Sequence, residues 1–224
     1  MATPRPSKIV CVGRNYTAHA QEMGGRVPDE PLIFLKPPSA LLPSDGEIVL
    51  PPWAGQVDFE GEMAFVVGRR IGPGEAGAGL SPEEGWAALS HVLPANDVTA
   101  RELQRSDGQW ARAKGFDTFC PVGEPVPLDR VDRTALALET RVNGELRQEG
   151  SIHQMVFSPD TLVAFIARVM TLEPGDLILT GTPAGVGPLA PGDWVEVSVA
   201  GAGRVRTSVR AGAAGVGGAG GETP

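Results

Sequence analysis

The chain has 224 residues, a net charge of −8, 30 glycines, 21 prolines and 5% aromatic residues. That length suits one domain with a proper core, and the glycine, proline and aromatic content favours strands and turns over a helical bundle. The acidic balance, with no basic run beyond Arg69-Arg70, excludes nucleic acid as an expected partner.

Lys8 to Val12 is a short apolar strand running into Gly13, Arg14 and Asn15. Asn15 is the expected N-cap of a two-turn helix over 16–23, closed by Gly24-Gly25. On that helix His19 and Glu22 stand at i, i+3 and share a face. A carboxylate beside an imidazole makes the latter a better base, although most such pairs are solvated surface pairs. Pro31 to Lys36 reads as a buried strand whose last residue either lines a pocket or snorkels to solvent. Glu47 to Leu50 is another strand.

Val57 to Gly68 (VDFEGEMAFVVG) reads as one buried strand rich in β-branched and aromatic bulk. Residues two apart on a strand share a face, so Glu60 and Glu62 converge. Like charges that close raise at least one pKa unless a cation lies between them, and oxygen ligands suit a hard divalent ion. Two solvated glutamates at a strand edge are the plain alternative.

The glycines between 72 and 79 mark a loop. Ser81, Pro82, Glu83 and Glu84 then open a helix expected to run through Trp86, Leu89 and Val92, with His91 a helix-end residue without chemistry. Asp97 ends a further strand within reach of the paired glutamates, and Thr99, Arg101 and Gln104 follow at spacings that can point back. Lys114 lies among apolar and glycine residues, a surface lysine unless it faces a cleft. Residues 134–142 alternate, and Asn143-Gly144 is a strong hairpin signal. Ser158-Pro159 opens a helix with an apolar stripe of Leu162, Phe165, Ile166 and Val169, while His153 has no visible partner.

Residues 172–180 hold the turn EPGD and the strand LILT. Gly181 to Gly187 (GTPAGVG) can bring backbone N–H groups to an anion, but it lacks the lysine and spacing of a P-loop. Residues 193–199 form one more strand, and 211–224 is a Gly/Ala-rich tail expected to be mobile. Cys11 and Cys120 allow one disulfide, but residues 1–10 lack the apolar core of a signal peptide, so no oxidising compartment is indicated. No apolar run approaches the roughly 18–20 residues that span a bilayer. A soluble cytoplasmic protein is expected.

In order, CVGRNYTAHAQEMG, PLIFLKPPSAL, DFEGEMAFVVG, NDVTARELQ, NGELRQEGS and EPGDLILTGTPAGVGPL resemble the fumarylacetoacetate hydrolase family. The likeness runs from about residue 9 to 209 and is strongest to short single-domain acylpyruvase-like and 2-hydroxyhepta-2,4-diene-1,7-dioate isomerase-like members. The resemblance implies a mixed, mainly β fold: a β-sandwich roll with a few short peripheral helices. It implies one catalytic domain over residues 1–210, with the lid helix in about the first 50.

By the same resemblance Glu60, Glu62 and Asp97 take the places of carboxylate ligands to Mg²⁺ or Mn²⁺. His19 and Glu22 match the pair on a lid helix, Lys114 the active-site lysine and Gln104 a neighbouring polar residue. Arg14 and Thr182 fall at substrate-contact positions, and a homodimer is implied. The expected activity is hydrolysis of a C–C bond in 3-acylpyruvates to pyruvate and a carboxylate, with oxaloacetate decarboxylation in the same site. The rival is isomerisation of a 2-hydroxymuconate-type diacid in aromatic catabolism. A minor rival is a non-catalytic module with a structural ion.

Overall fold

The computed structural model describes residues 5–76 and 79–213. It is a mixed, mainly β fold. Among the described residues an eight-stranded sheet runs in the order Leu32–Lys36, Ile9–Gly13, Leu177–Leu179, Gly61–Val67, Leu89–Asn96, Cys120–Val122 and Leu41–Pro43, with Val126–Pro127 joined to Leu89–Asn96. A five-stranded sheet runs Glu145–Ser151, Ala137–Val142, Trp194–Val199, Gly203–Ala211 and Glu47–Leu50, and a three-stranded one joins Gly187–Pro188, Val57–Phe59 and Thr99–Ala100. Both of the larger sheets mix parallel and antiparallel pairs.

The strand Gly61–Val67 is buried at every position, and its alternation divides two cores. Met63, Phe65 and Val67 pack with Leu138, Val197 and Val205 of the five-stranded sheet and with Leu162 and Ile166 of the helix Pro159–Val169. Ala64 and Val66 face a second core shared by Ile9, Cys11, Leu93, Cys120 and Leu179. Strands from both halves of the large sheet meet in that second core, so the sheet curls around it.

Several local expectations change. The run 57–68 is two strands, Val57–Phe59 and Gly61–Val67. Glu60 breaks the ladder because its N–H donates to the Asn96 side chain (2.9 Å) and its carbonyl accepts from Asp97 N–H (2.8 Å). The helix opened by Ser81, which does form its capping box with Glu84, stops at Ala87. Leu89–Asn96 is instead the strand that pairs with Gly61–Val67. His91 is therefore a strand residue, with Nδ1 2.9 Å from Ser90 Oγ.

Leu32–Lys36 is an edge strand with Leu32 and Leu35 exposed rather than a buried one. In Pro159–Val169 the buried face is Leu162, Val163, Ile166 and Ala167, with Val169 exposed, and Ser158 holds the N-cap position without a side-chain bond to the backbone. His153 does have a partner, with Nε2 2.9 Å from the Thr134 carbonyl. Within the glycine loop Pro73–Ala76 makes a helical turn, and Gly77 lies outside the described residues. Of the expected tail, Ala211 ends a strand and residues 214–224 lie outside the described residues.

The hairpin at Asn143-Gly144 forms as read, with φ of 52° and 88° at the two turn residues, the positive values that a tight two-residue hairpin turn requires. Cys11 and Cys120 are free and buried, and burial pushes the Cys120 thiol up to about 12. Among the described residues no helix is long and apolar enough to cross a membrane.

Candidate metal centre and active site

Strand parity places the acids. Glu62 lies on the same side as Ala64 and Val66, facing the interior of the curl, and Asp97 follows Leu93 and Ala95 on that side two residues further on. Glu60, at the break between strands, completes the group. Carboxylate oxygens of Glu60, Glu62 and Asp97 all lie within 4.8 Å of one another, and all three residues are buried.

Gly61 is what lets the two glutamates approach this place. A Cβ there would overlap Thr140 Oγ1 and stand 3.2 Å from Gln148 Oε1. Gln148 accepts the Gly61 N–H (2.9 Å), and Thr182 Oγ1 donates to the Gly61 carbonyl (2.8 Å). The Glu-Gly-Glu segment is thereby pinned from both sides.

Three buried cations answer the acids. Lys114 Nζ donates to Glu60 (2.8 Å) and Asp97 (2.6 Å), and Lys36 Nζ to Asp97 (2.7 Å). Arg101 pairs with Asp58 (2.7 Å) and Glu60 (2.6 Å). Burial alone would push Glu60 up, but Lys114 and Arg101 beside it hold its carboxyl well below the usual range. Burial also disfavours a charged Lys114, yet Asp97 and Glu60 raise its pKa above the ordinary lysine value. Among the described residues Glu62 receives only the Gly181 N–H (2.7 Å). Burial first, then Asp97 and Glu60, push its carboxyl well above the ordinary range.

Four buried acids, Asp58, Glu60, Glu62 and Asp97, thus face three buried cations. The surplus sits at Glu62, beside two other carboxylates. With Glu62 ionised, this all-oxygen cluster would carry one unit of negative charge beyond its cations, a donor set that fits a hard divalent ion such as Mg²⁺ or Mn²⁺.

Beyond the acids opens a cavity of about 540 Å³, lined among others by Arg14, His19, Glu22, Gln104, Lys114 and Thr182. The sequence-derived site residues therefore share one space. His19 and Glu22 lie on the helix Thr17–Glu22, with His19 Nδ1 3.2 Å from Glu22 Oε2. Gly185 N–H donates to the same Glu22 carboxylate at 3.0 Å. The glycine-rich turn does cradle anions, but they are the chain's own Glu22 and Glu62. Asn15 is not the helix cap: Tyr16 holds that position, and buried Asn15 ties Phe157 and Thr180 together. Thr182 has its hydroxyl proton committed to Gly61 and accepts from Gln148 Nε2 (2.7 Å). Gln104 Oε1 is held by Arg101 (2.9 Å).

Residues 8–210 match the family described as fumarylacetoacetate (FAA) hydrolase C-terminal. The chain belongs to the fumarylacetoacetate hydrolase family. Over 200 residues it is 38% identical to the mitochondrial oxaloacetate decarboxylase of Dictyostelium discoideum, covering 87% of this chain and 89% of that one. The solved 5-carboxymethyl-2-hydroxymuconate delta-isomerase from Mycobacterium smegmatis is similar at a TM-score of 0.84 and 42% identity, over 94% of this chain and 81% of that one. Fumarylpyruvate hydrolase from Pseudomonas aeruginosa, solved with Mn²⁺ and pyruvate, is similar at 0.85 and 31%, over 92% and 91%. These members of the fumarylacetoacetate hydrolase family are enzymes of three reaction types, and the fold here is theirs.

Lys36 and Arg101 are parts of the centre that sequence reasoning noticed but did not rank among the site residues. Arg101 was legible as a residue pointing back toward the acids, but its three-residue spacing to Gln104 gave no reason to rank it as the partner of Glu60. Lys36 closes an apolar strand, and a lone lysine there reads equally as solvated. Thr99 does not reach the cavity, since its hydroxyl donates to the Asp97 carbonyl (2.7 Å).

Proposed function

We propose that this chain is a divalent-metal-dependent hydrolase cleaving a C–C bond in 3-acylpyruvate-type 2,4-dioxo acids to pyruvate and a carboxylate. The observation that carries this reading is one cavity holding both a buried, undercompensated carboxylate trio and a histidine–glutamate pair. Glu60, Glu62 and Asp97 would hold Mg²⁺ or Mn²⁺. When bound, such an ion supplies Lewis-acid stabilisation of the negative charge that develops on a 2-oxo acid.

The chain's own groups do the rest. Glu22, fixed by Gly185 N–H, orients His19 through Nδ1. His19 Nε2 is then left to take a proton from water as that water attacks the distal carbonyl. Gln104 keeps its amide N–H groups for the developing oxyanion because its oxygen is occupied by Arg101. Lys114 retains a third N–H beyond the two given to Glu60 and Asp97. Arg14 and Thr182 line the cavity as substrate contacts. In the products the acyl carbon gains the water oxygen and the pyruvate methyl carbon gains a proton. Oxaloacetate decarboxylation raises charge at the same place without water, so the same site serves it.

The second reading is a double-bond isomerase acting on a hydroxymuconate-type diacid, favoured by the likeness to the Mycobacterium smegmatis isomerase. Acylpyruvates, oxaloacetate and a hydroxymuconate diacid, each assayed with Mg²⁺, with Mn²⁺ and with chelator, separate them. Chelator-sensitive release of pyruvate from acylpyruvates is expected. Conversion of the diacid alone, without pyruvate, overturns hydrolysis in favour of isomerisation. A homodimer belongs to the same proposal, supported by the exposed Leu32 and Leu35 on an edge strand; light scattering checks it.

A further inference from the structure

Gln148 lies in the middle of the strand Glu145–Ser151, most of which is exposed, yet it is buried. Its amide is fully engaged. Oε1 accepts the Gly61 N–H (2.9 Å), and Nε2 donates to Thr182 Oγ1 (2.7 Å) and to the Pro183 carbonyl (2.8 Å). Chemistry permits this orientation alone, since a backbone N–H can only donate and a carbonyl only accept. Turned over, the amide would set its NH₂ against an N–H and its oxygen against an oxygen.

That orientation decides the polarity of Thr182. Gln148 can only donate to it, so Oγ1 accepts there, and its single proton goes to the Gly61 carbonyl (2.8 Å). A hydroxyl has one donor and two acceptor positions, so Thr182 keeps one lone pair and no proton for anything else. Its hydroxyl therefore meets an O–H or N–H in the cavity it lines, not a carboxylate or carbonyl oxygen.

The glycine-rich turn that carries Thr182 also supplies the Gly185 N–H that holds Glu22 and, through Glu22, His19. A Cβ at Gly185 would run into the Arg147 carbonyl, so this turn lies flush on the strand beside Gln148. Two acceptors facing one cavity, His19 Nε2 and Thr182 Oγ1, are thus fixed from a single turn.

We infer that Thr182 is a second water-positioning group for C–C hydrolysis, and that Gln148 is the positioning residue that keeps it an acceptor. This rests on the reading of the site as a hydrolase. The attacking water gives one O–H to His19 Nε2 and the other to Thr182 Oγ1, which turns an oxygen lone pair toward the distal carbonyl carbon. As the C–O bond forms, the first proton passes to His19. The electron pair of the broken C–C bond stays with the pyruvyl carbon, which is protonated there.

The test uses the full chain with saturating Mg²⁺ and reads two quantities: kcat for hydrolysis of acetopyruvate, and the affinity for pyruvate by calorimetry, which involves no attacking water. Thr182→Val removes the acceptor and lowers kcat by about 10–100-fold, the cost of a misplaced reactant, while pyruvate affinity moves less than about threefold. Thr182→Ser keeps the hydroxyl and most of the rate. Gln148→Met frees that hydroxyl to turn and loses part of the rate in the same way, and Gln148→Met/Thr182→Val loses no more than Thr182→Val alone. Melting temperatures verify folding, and Gln148→Leu serves where Gln148→Met does not fold. Hydrolysis and pyruvate affinity falling together, or an undiminished kcat in Thr182→Val, overturns the water-positioning role and leaves the proposed hydrolase standing. Losses that multiply in the double variant overturn the action of Gln148 through Thr182. A wild type that neither hydrolyses acetopyruvate nor binds pyruvate overturns the hydrolase reading itself, and this inference with it.

Discussion

Gly61 offers the sharpest check on how the centre is built. Its φ is not in the left-handed region, so Gly61→Ala meets no backbone penalty and any effect is steric. The new methyl group would overlap Thr140 Oγ1 and crowd Gln148 Oε1 at 3.2 Å. Overpacking a close-packed site costs about 1–3 kcal/mol. For a chain of this size that lowers the melting temperature by roughly 2–12 °C. Because the Gly61 backbone joins Glu60 to Glu62, displacing it away from Thr140 also moves two of the three carboxylates, and Mg²⁺ binding weakens.

Thr140 supplies the control. Its buried hydroxyl has no hydrogen-bond partner, so Thr140→Ala alone should cost under about 1 kcal/mol. In the double variant Gly61→Ala/Thr140→Ala the obstructing oxygen is gone, and most of the lost stability and Mg²⁺ affinity should return. Thermal denaturation with and without Mg²⁺, combined with calorimetric titration, completes the cycle. Wild-type stability and affinity in Gly61→Ala, or a double variant no better than the single one, would refute the steric account.

Two further substitutions separate the roles of neighbouring acids. Glu60 compensates Lys114 and Arg101, so Glu60→Gln should destabilise the metal-free protein by about 3–5 kcal/mol, the usual cost of breaking a buried ion pair. Glu62 has no ion pair among the described residues and keeps its Gly181 bond as an amide, so Glu62→Gln should leave that protein as stable or more so; both lose the stabilisation by Mg²⁺. The raised Glu62 pKa fixes a sign as well. The native state holds this proton above the pH at which the unfolded chain releases it, so Glu62 contributes a loss of metal-free stability as pH rises from the ordinary carboxylate range toward its folded pKa. Denaturation of wild type and Glu62→Gln across that window reads the difference, and parallel curves would contradict it. His19→Ala should keep Mg²⁺ binding while losing acylpyruvate hydrolysis by about 10²–10⁴-fold, and unchanged turnover would remove His19 from water activation.

Much of the site could be read along the chain because its parts are local. His19 and Glu22 are one helical turn apart, and Glu60 and Glu62 flank a single glycine. The hairpin at Asn143-Gly144 was legible for the same reason, since two adjacent residues set its backbone. Errors gathered where a segment's state depends on distant partners. Leu89–Asn96 continues a convincing helical pattern, yet it is a strand because Gly61–Val67 offers it a ladder. Leu32–Lys36 reads as buried, but which strand ends a sheet is decided by topology.

The sequence by itself determined the chemical inventory: three carboxylates, a histidine–glutamate pair, a lysine and a glycine-rich turn, in the order of one family. Only the tertiary structure decided how their charges balance. Lys36, Arg101 and Lys114 reach Asp97 and Glu60 from three separate elements, while among the described residues no cation pairs directly with Glu62. Electrostatic energy depends on distances across space, and spacing along a chain reports those distances only within a turn or a strand.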